Sequence, residues 1–207
     1  MGSEYTARVA AFESRRETAG DCLQSKGRQL NSRALTGRPG RDWLMAVAFD
    51  WGHTVMDERR DADMALSLRP IHLMPGVPEV LPRIALPLAL WANTRVDAES
   101  DVRAWLERAG LNHLFRWVIT SVDAGARKPA PEFFDHALSR CGLARENVLF
   151  VGNQLNTDVA GAAAVGIDTV WLSGPQHRSV DDCPSAAAPT YTIQTLHDLP
   201  SLLRQIR

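Results

Sequence analysis

Side chains that could carry chemistry follow four apolar segments of the chain. They are Asp50, Asn93 with Thr94, Lys128, and Asn153 with Asp158. Asp50 comes directly after the run Ala46-Val47-Ala48-Phe49, where nothing about packing calls for an acid. An aspartate carboxylate in such a place can attack phosphorus or carbon and form a covalent intermediate. Open α/β sheets bind ligands beyond the carboxyl ends of their strands, so the spacing predicts one shared crevice if the apolar segments are parallel strands.

Strand and helix patterns alternate from Met45 onward, which predicts the sheet that would bring these residues together. Continuous apolar runs predict strands at 46–50, 86–92, 117–120, 147–152 and 169–172. Amphipathic or Ala-rich segments predict helices at 78–84, 98–109, 131–141, 158–165 and within 193–206. The alternation predicts an α/β fold: a doubly wound, Rossmann-like parallel sheet of about five strands with helices on both faces.

Composition limits the partners and the compartment. The 207 residues include 23 basic and 24 acidic ones, for a net charge of −1, which argues against nucleic acid or a membrane surface as the main partner. No apolar stretch approaches the roughly 18 residues of a membrane span. The three cysteines are widely spaced, with no disulfide framework or zinc spacing, which indicates reduced thiols in a cytoplasmic protein.

The first 44 residues differ in character from the rest. They carry eight Lys or Arg and five Asp or Glu residues, and 24–42 is rich in Gly, Arg, Ser and Asn. They lack the apolar core of a secretory signal. We therefore expect 1–44 to be a partly mobile N-terminal extension, and 45–207 to be one catalytic core domain.

The polar segments occur in the order found in the haloacid-dehalogenase superfamily, which consists mostly of phosphatases and related phosphoryl-transfer enzymes, and residues 45–175 resemble it. The resemblance rests on Phe-Asp-Trp-Gly-His-Thr at 49–54, Pro-Gly-Val-Pro-Glu-Val-Leu at 75–81, Arg-Lys-Pro-Ala-Pro-Glu-Phe-Phe at 127–134, and Val-Gly-Asn-Gln-Leu-Asn-Thr-Asp-Val-Ala-Gly-Ala at 151–162. It implies a hydrolase that cleaves a phosphate monoester.

The resemblance also implies a role for each polar residue. Asp50 would attack phosphorus to give an aspartyl-phosphate, and Lys128 would bind the phosphate and damp the negative charge around Asp50. Hydrogen bonds to the phosphate are implied for Asn93 and for the backbone near Thr94. The implied cofactor is Mg²⁺, held by Asp50, Asp158, Asn153 and the backbone carbonyl of Gly52.

Three positions depart from the family pattern. The second aspartate, which protonates the leaving oxygen and then activates water, is Gly52 here; such help is typically worth about 10²–10⁴-fold in rate. The hydroxyl residue expected before Asn93 is Ala92, and the first acid of the last segment is Asn153. His53 lies three residues from Asp50 and titrates near neutrality, so it is a candidate catalytic acid/base; the alternative is a structural or solvent-exposed turn residue.

Only 20 residues, 55–74, separate the first segment from Pro75, which predicts a minimal cap domain or none. The charged run 57–61 within them is predicted to be a solvated loop beside the entrance; the alternative is a role in selecting the substrate. An open crevice would admit a small-molecule or a larger phosphorylated substrate, and an oligomer could cover it. The alternative to an enzyme is a degenerate, non-catalytic member that keeps the fold for binding or assembly, which the three departures favour.

Overall fold

A parallel six-stranded sheet organises the part of the chain that the computed structural model describes, which is residues 43–59, 61, 63–175 and 188–206. The strands are β1 (Ala46–Phe49), β2 (Leu88–Ala92), β3 (Phe115–Thr120), β4 (Val148–Gly152), β5 (Asp168–Leu172) and β6 (Tyr191–Ile193). They lie in the order β3-β2-β1-β4-β5-β6, and every neighbouring pair is parallel. The sheet therefore grows outward from β1 in one direction and then from β4 in the other.

Helices connect the strands. They are α1 (Val77–Val80, continued by a 3₁₀ turn at Leu81–Arg83), α2 (Glu99–Arg108), α3 (Ser121–Ala124), α4 (Pro131–Cys141), α5 (Ala160–Ala164, preceded by a π-helical turn at Leu155–Val159) and α6 (Leu199–Ile206). Further 3₁₀ turns at Asn112–Leu114, Arg145–Asn147 and Leu196–Asp198 precede β3, β4 and α6. Helix α4 begins at a proline, whose missing N–H is unpaired there anyway. It ends at Gly142, whose φ of 65° suits glycine.

Both faces of the sheet are covered, as continuous apolar strands require. On one face the rings of Trp91 and Phe150 stack with centroids 5.4 Å apart, and Phe134 of α4 meets Phe150 edge-on at 5.9 Å. Side chains alternate along a strand, so Val47 and Val151 point to the opposite face, and both are fully buried. The sheet is thus the middle layer of the domain.

The predicted fold class is confirmed, with one strand more than expected. The sixth strand, Tyr191–Ile193, has only three residues and lies at the sheet edge, so it falls below the length at which alternation is informative. Its start is fixed by a reciprocal pair of hydrogen bonds, in which each backbone N–H of Thr169 and Thr190 donates to the other residue's hydroxyl (3.1 Å each). Predicted helix 158–165 is divided into the π-helical turn and α5.

The described chain begins two residues before the boundary expected at Met45. Trp43 and Leu44 are buried, the Trp43 indole N–H donates to the carbonyl of Ile206 (3.0 Å), and the Asn147 amide donates to the carbonyl of Trp43 (2.6 Å). The rest of the predicted extension, 1–42, lies outside the described residues, and the two-domain division stays a prediction. None of the helices in the described ranges is long and apolar enough to cross a bilayer.

Residues 55–74 make a short excursion from the sheet and back. An antiparallel bridge joins Met56 to Leu73, and a second bridge joins Met56 to Gly52. Met56 and Met74 are fully buried, so both ends of the excursion are anchored in the core. The described residues between them form turns and bends, which agrees with the predicted lack of a cap domain.

Candidate active site

The candidate site lies where the strand order reverses. Strands β1 and β4 are neighbours, and their connections leave in opposite directions, which opens a crevice at their carboxyl ends. Asp50 follows β1 directly, and Asn153 follows β4. The predicted polar residues therefore converge at the point of the sheet where α/β folds bind ligands.

Three charged side chains meet in this crevice. The Lys128 ammonium lies 2.5 Å from Asp50 Oδ1 and 2.8 Å from Asp158 Oδ1. The side chains of Lys128 and Asp158 are 1% and 2% exposed, whereas that of Asp50 is 10% exposed. Asp50 is thus the member of this triad that a ligand can reach most easily.

The triad has strongly coupled ionisation. Burial acts to lower the pKa of Lys128, but the charges of Asp158 and Asp50 outweigh it and raise the pKa, so the ammonium stays charged. Burial, together with the charge of Asp50, raises the pKa of Asp158 to about 6 against the opposing effect of Lys128. One ammonium therefore serves two carboxylates, and Asp158 gains a proton at a higher pH than an ordinary aspartate does.

A close backbone approach holds Asp158 in place. The π-helical turn after β4 carries Asp158 back over Gly152, where an added Cβ would lie only 2.5 Å from the Asp158 Cβ. Any larger residue at 152 would push the carboxylate away. The Gln154 N–H donates to Asp158 Oδ2 (3.0 Å), so both oxygens of this carboxylate have partners.

Two hydrogen bonds join the Asn93 side chain to the backbone of Lys128. Its amide donates to the Lys128 carbonyl and its side-chain oxygen accepts from the Lys128 N–H, both at 2.9 Å. The Thr94 N–H donates to the Ser121 hydroxyl (2.9 Å). Asn93 therefore positions Lys128, and the Thr94 N–H is paired within the fold; the predicted contacts of these two residues with phosphate stay a prediction.

Thr54 brings two further oxygens together. Its hydroxyl lies 3.2 Å from Asp50 Oδ2 and 3.4 Å from Asn153 Oδ1. The backbone of Asn153 is held by the Trp171 indole, which donates to its carbonyl (3.0 Å). Asp50 Oδ2 and Asn153 Oδ1 therefore converge on the side of Asp50 that does not face Lys128.

His53 lies in a different electrostatic setting. It is half-buried with a φ of 56°, and burial lowers its pKa, while Asp57 raises and Arg59 lowers it by smaller amounts. Asp57 and Arg59, whose charges act on this imidazole, belong to the loop after Thr54. Its role as a catalytic acid/base stays a prediction.

Two further charged residues, Glu58 and Arg127, border the crevice. The Glu58 carboxyl lies against Gly52: a Cβ built on that glycine would be 3.0 Å from Glu58 Cδ. Glu58 belongs to the loop 57–61 that was predicted to be solvated; its side chain is 34% exposed, and burial raises its pKa. The exposed Arg127 donates from Nη1 to the Thr94 carbonyl (2.5 Å), which places a second cation beside the loop after β2.

The oxygen atoms suit Mg²⁺ in kind, but they are few. Across the described residues, no group of three or more His, Cys, Asp or Glu side chains could hold a metal ion. Both oxygens of Asp158, a predicted ligand, accept hydrogen bonds from Lys128 and Gln154, and its role as a ligand stays a prediction, as does that of the Gly52 carbonyl. Asp50 Oδ2 and Asn153 Oδ1 both lie near the Thr54 hydroxyl, and Mg²⁺ can be bound by one or two carboxylates with substrate phosphate.

Comparison with known proteins gives hydrolases as relatives. A family model described as HAD-hydrolase-like matches residues 125–199. The chain is 38% identical over 99 residues to a pyrimidine 5'-nucleotidase of Escherichia coli (47% of this chain, 42% of that protein). It is 29% identical over 150 residues to a ribulose-1,5-bisphosphate 5-phosphatase of Halopiger xanaduensis (69% and 62%).

The solved structures extend the likeness over most of the chain. An uncharacterized protein from Listeria monocytogenes serotype 4b superimposes with a TM-score of 0.68 at 25% identity, covering 79% of this chain and all of the other. The chain spans about half the length of the first curated relatives it matches, which are 42–46% covered. The sheet order, the matching family model and these relatives together support one identification: a hydrolase of the haloacid-dehalogenase superfamily.

Proposed function

We propose that this protein is a Mg²⁺-dependent phosphatase that cleaves a phosphate monoester through an aspartyl-phosphate on Asp50. The observation that carries the proposal is the buried ammonium of Lys128 between Asp50 and Asp158, with Asp50 the most exposed of the three. The relatives named as a nucleotidase and a sugar-bisphosphate phosphatase support phosphate ester as the substrate class. A crevice without a cap domain would admit small or larger phosphorylated substrates.

The chain's own residues supply a nucleophile and positive charge. Asp50 attacks phosphorus as the bond to the leaving oxygen breaks, and water then releases phosphate from the aspartyl-phosphate. Lys128 places its positive charge beside Asp50 and faces the charge that develops on the transferring group. When bound by Asp50 and Asn153, Mg²⁺ would offset the repulsion between the carboxylate and the phosphate. Asn93 positions Lys128 through two hydrogen bonds to its backbone.

A second candidate function is a non-catalytic binding module of the same fold. The observation that favours it is the small number of charged oxygens in the site, because Asn153 is neutral and Asp158 is committed to Lys128. Such a protein would bind an anion at Lys128 without turning it over.

Hydrolysis of 4-nitrophenyl phosphate with and without Mg²⁺ separates the two. We expect wild-type turnover that requires Mg²⁺ and is lost in Asp50→Asn. The matched control is Asp135→Asn, which removes a carboxylate on the exposed side of α4 and should leave the rate unchanged. If the wild type shows no turnover, and Mg²⁺ with beryllofluoride does not raise its melting temperature, the phosphatase proposal is wrong. Anion binding without turnover would support the binding module.

A further inference from the structure

We infer that the Glu58 carboxyl supplies the acid/base group that Gly52 cannot. This inference rests on the proposed function, since it concerns how the leaving oxygen and the attacking water exchange protons at Asp50. It assigns a catalytic role to a residue of the short excursion that lies outside the motifs of the family.

The steric relation between Glu58 and Gly52 is the first support. A Cβ built on Gly52 would meet Glu58 Cδ at 3.0 Å and Cγ at 3.7 Å, and would overlap Oε2 outright. The Glu58 carboxyl therefore fills the space into which a side chain at position 52 would extend. A residue two positions after the nucleophile borders the crevice, so a carboxyl that fills this space reaches the same region from another part of the chain.

The excursion holds Glu58 in this position from both sides. The Asp57 N–H donates to the His72 carbonyl (2.8 Å), which fixes the backbone just before Glu58. On the other side, Glu58 Oε1 faces Arg69 Nη1 at 3.5 Å, and Arg69 is anchored by donating from Nη2 to the Met64 carbonyl (3.0 Å). Glu58 thus turns Oε1 toward Arg69 and Oε2 toward Gly52.

Glycine at 52 and glutamate at 58 form a matched pair. With any side chain at 52, Glu58 would have to move, and without Glu58 the space beside Gly52 would lose its carboxyl. His53 is another titratable group on this turn, but it is Glu58 that fills the space into which a side chain at 52 would extend. Glu58 is therefore the better placed of the two to take the part of an acid at position 52.

Both half-reactions then balance. As the Asp50 oxygen bonds to phosphorus, the bond to the leaving oxygen breaks and that oxygen takes the proton from the Glu58 carboxyl. The Glu58 carboxylate next takes a proton from water as the water oxygen bonds to phosphorus and the Asp50–phosphorus bond breaks. Aspartate, the protonated glutamate, an alcohol and inorganic phosphate result, so the enzyme returns to its starting state.

The leaving group separates these two steps experimentally. 4-Nitrophenolate departs without a proton, whereas the alkoxide of glycerol phosphate does not. In Glu58→Gln we expect 4-nitrophenyl phosphate to give a burst of about one nitrophenolate per site and then a slow phase, because water attack lacks its base. Turnover of glycerol phosphate should fall by about 10²–10⁴-fold with no burst. The control is Glu79→Gln, an exposed glutamate of α1, which should match the wild type.

A second variant protects the test against a folding defect. In Gly52→Asp/Glu58→Ala, the aspartate can enter the vacated space, and we expect steady-state turnover to recover at least tenfold over Glu58→Ala. Unchanged rates in Glu58→Gln, or an equal loss on both substrates with no burst and no recovery in the double variant, would overturn the inference while activity that depends on Asp50 stands. Absence of activity in the wild type would instead refute the proposed function, and this inference with it.

Discussion

Replacing Lys128 with methionine tests the physical basis of the site most directly. Methionine has nearly the same length, but it leaves Asp50 and Asp158 buried beside each other with no cation. Breaking a buried ion pair by removing one partner destabilises a protein by about 3–5 kcal/mol. In a domain of this size each kcal/mol lowers the melting temperature by about 2–4 °C, so we expect Lys128→Met to melt about 6–20 °C below the wild type at pH 7.

The loss of stability in Lys128→Met should depend on pH. Burial and the charge of Asp50 already raise the pKa of Asp158 to about 6 while Lys128 opposes them, so removing Lys128 moves that pKa higher still. At pH 5 the protonated Asp158 no longer repels Asp50, and the deficit in unfolding free energy should shrink to about half or less. Urea denaturation of both proteins at pH 5 and pH 7 measures it.

Two comparisons make the result decisive. Lys128→Met/Asp158→Asn removes the second charge, so it should recover most of the stability at pH 7. Arg127→Met removes the neighbouring, exposed cation and should cost less than about 1 kcal/mol. A deficit of under about 1 kcal/mol for Lys128→Met at pH 7, or one of equal size at both pH values, would refute the claim that this ammonium neutralises two buried carboxylates.

Two further predictions concern the residues around the triad. In the wild type, Asp158 has a pKa of about 6 against an ordinary 3.8, so the folded state binds this proton more tightly than the unfolded state does. The unfolding free energy should therefore fall by roughly 3 kcal/mol as the pH rises from about 4 to 6. Chemical denaturation at several pH values should show this slope in the wild type and not in Asp158→Asn. Asn93→Ala removes both hydrogen bonds to the Lys128 backbone and should lower the unfolding free energy by about 1–3 kcal/mol, as measured by urea denaturation. An unchanged urea midpoint would show that these two hydrogen bonds do not stabilise the fold.

The meeting of Asp50, Lys128 and Asp158 could be predicted because it depends on chain order. Each follows or precedes a continuous apolar run, and parallel strands put their carboxyl ends at one edge. The hydrogen-bond partners of Asn93 and Thr94 could not be predicted in the same way. Asn93 contacts a backbone 35 residues away, and which donors stay available for a ligand depends on such tertiary contacts.

The position of Glu58 could not be predicted from the local sequence. A run of charged residues usually indicates a solvated loop, and Asp57 and Arg59 do pair with each other there, with the Arg59 hydrogen bond lowering the pKa of Asp57 to about 2. Glu58 turns toward position 52, where the glycine has no side chain to exclude it. The signal was therefore present in the sequence as the glycine at 52, but only the fold connects the two positions.

The bridge between Met56 and Leu73 has a consequence for how this architecture can vary. It holds the two ends of the excursion, its stems, side by side, and Met56 and Met74 are fully buried in the core. Additional residues inserted between such stems add only closure entropy, about 0.6 kcal/mol for each doubling of length. A descendant of this chain could acquire a lid over its crevice by growth at this one hinge, without re-optimising the strands beneath it.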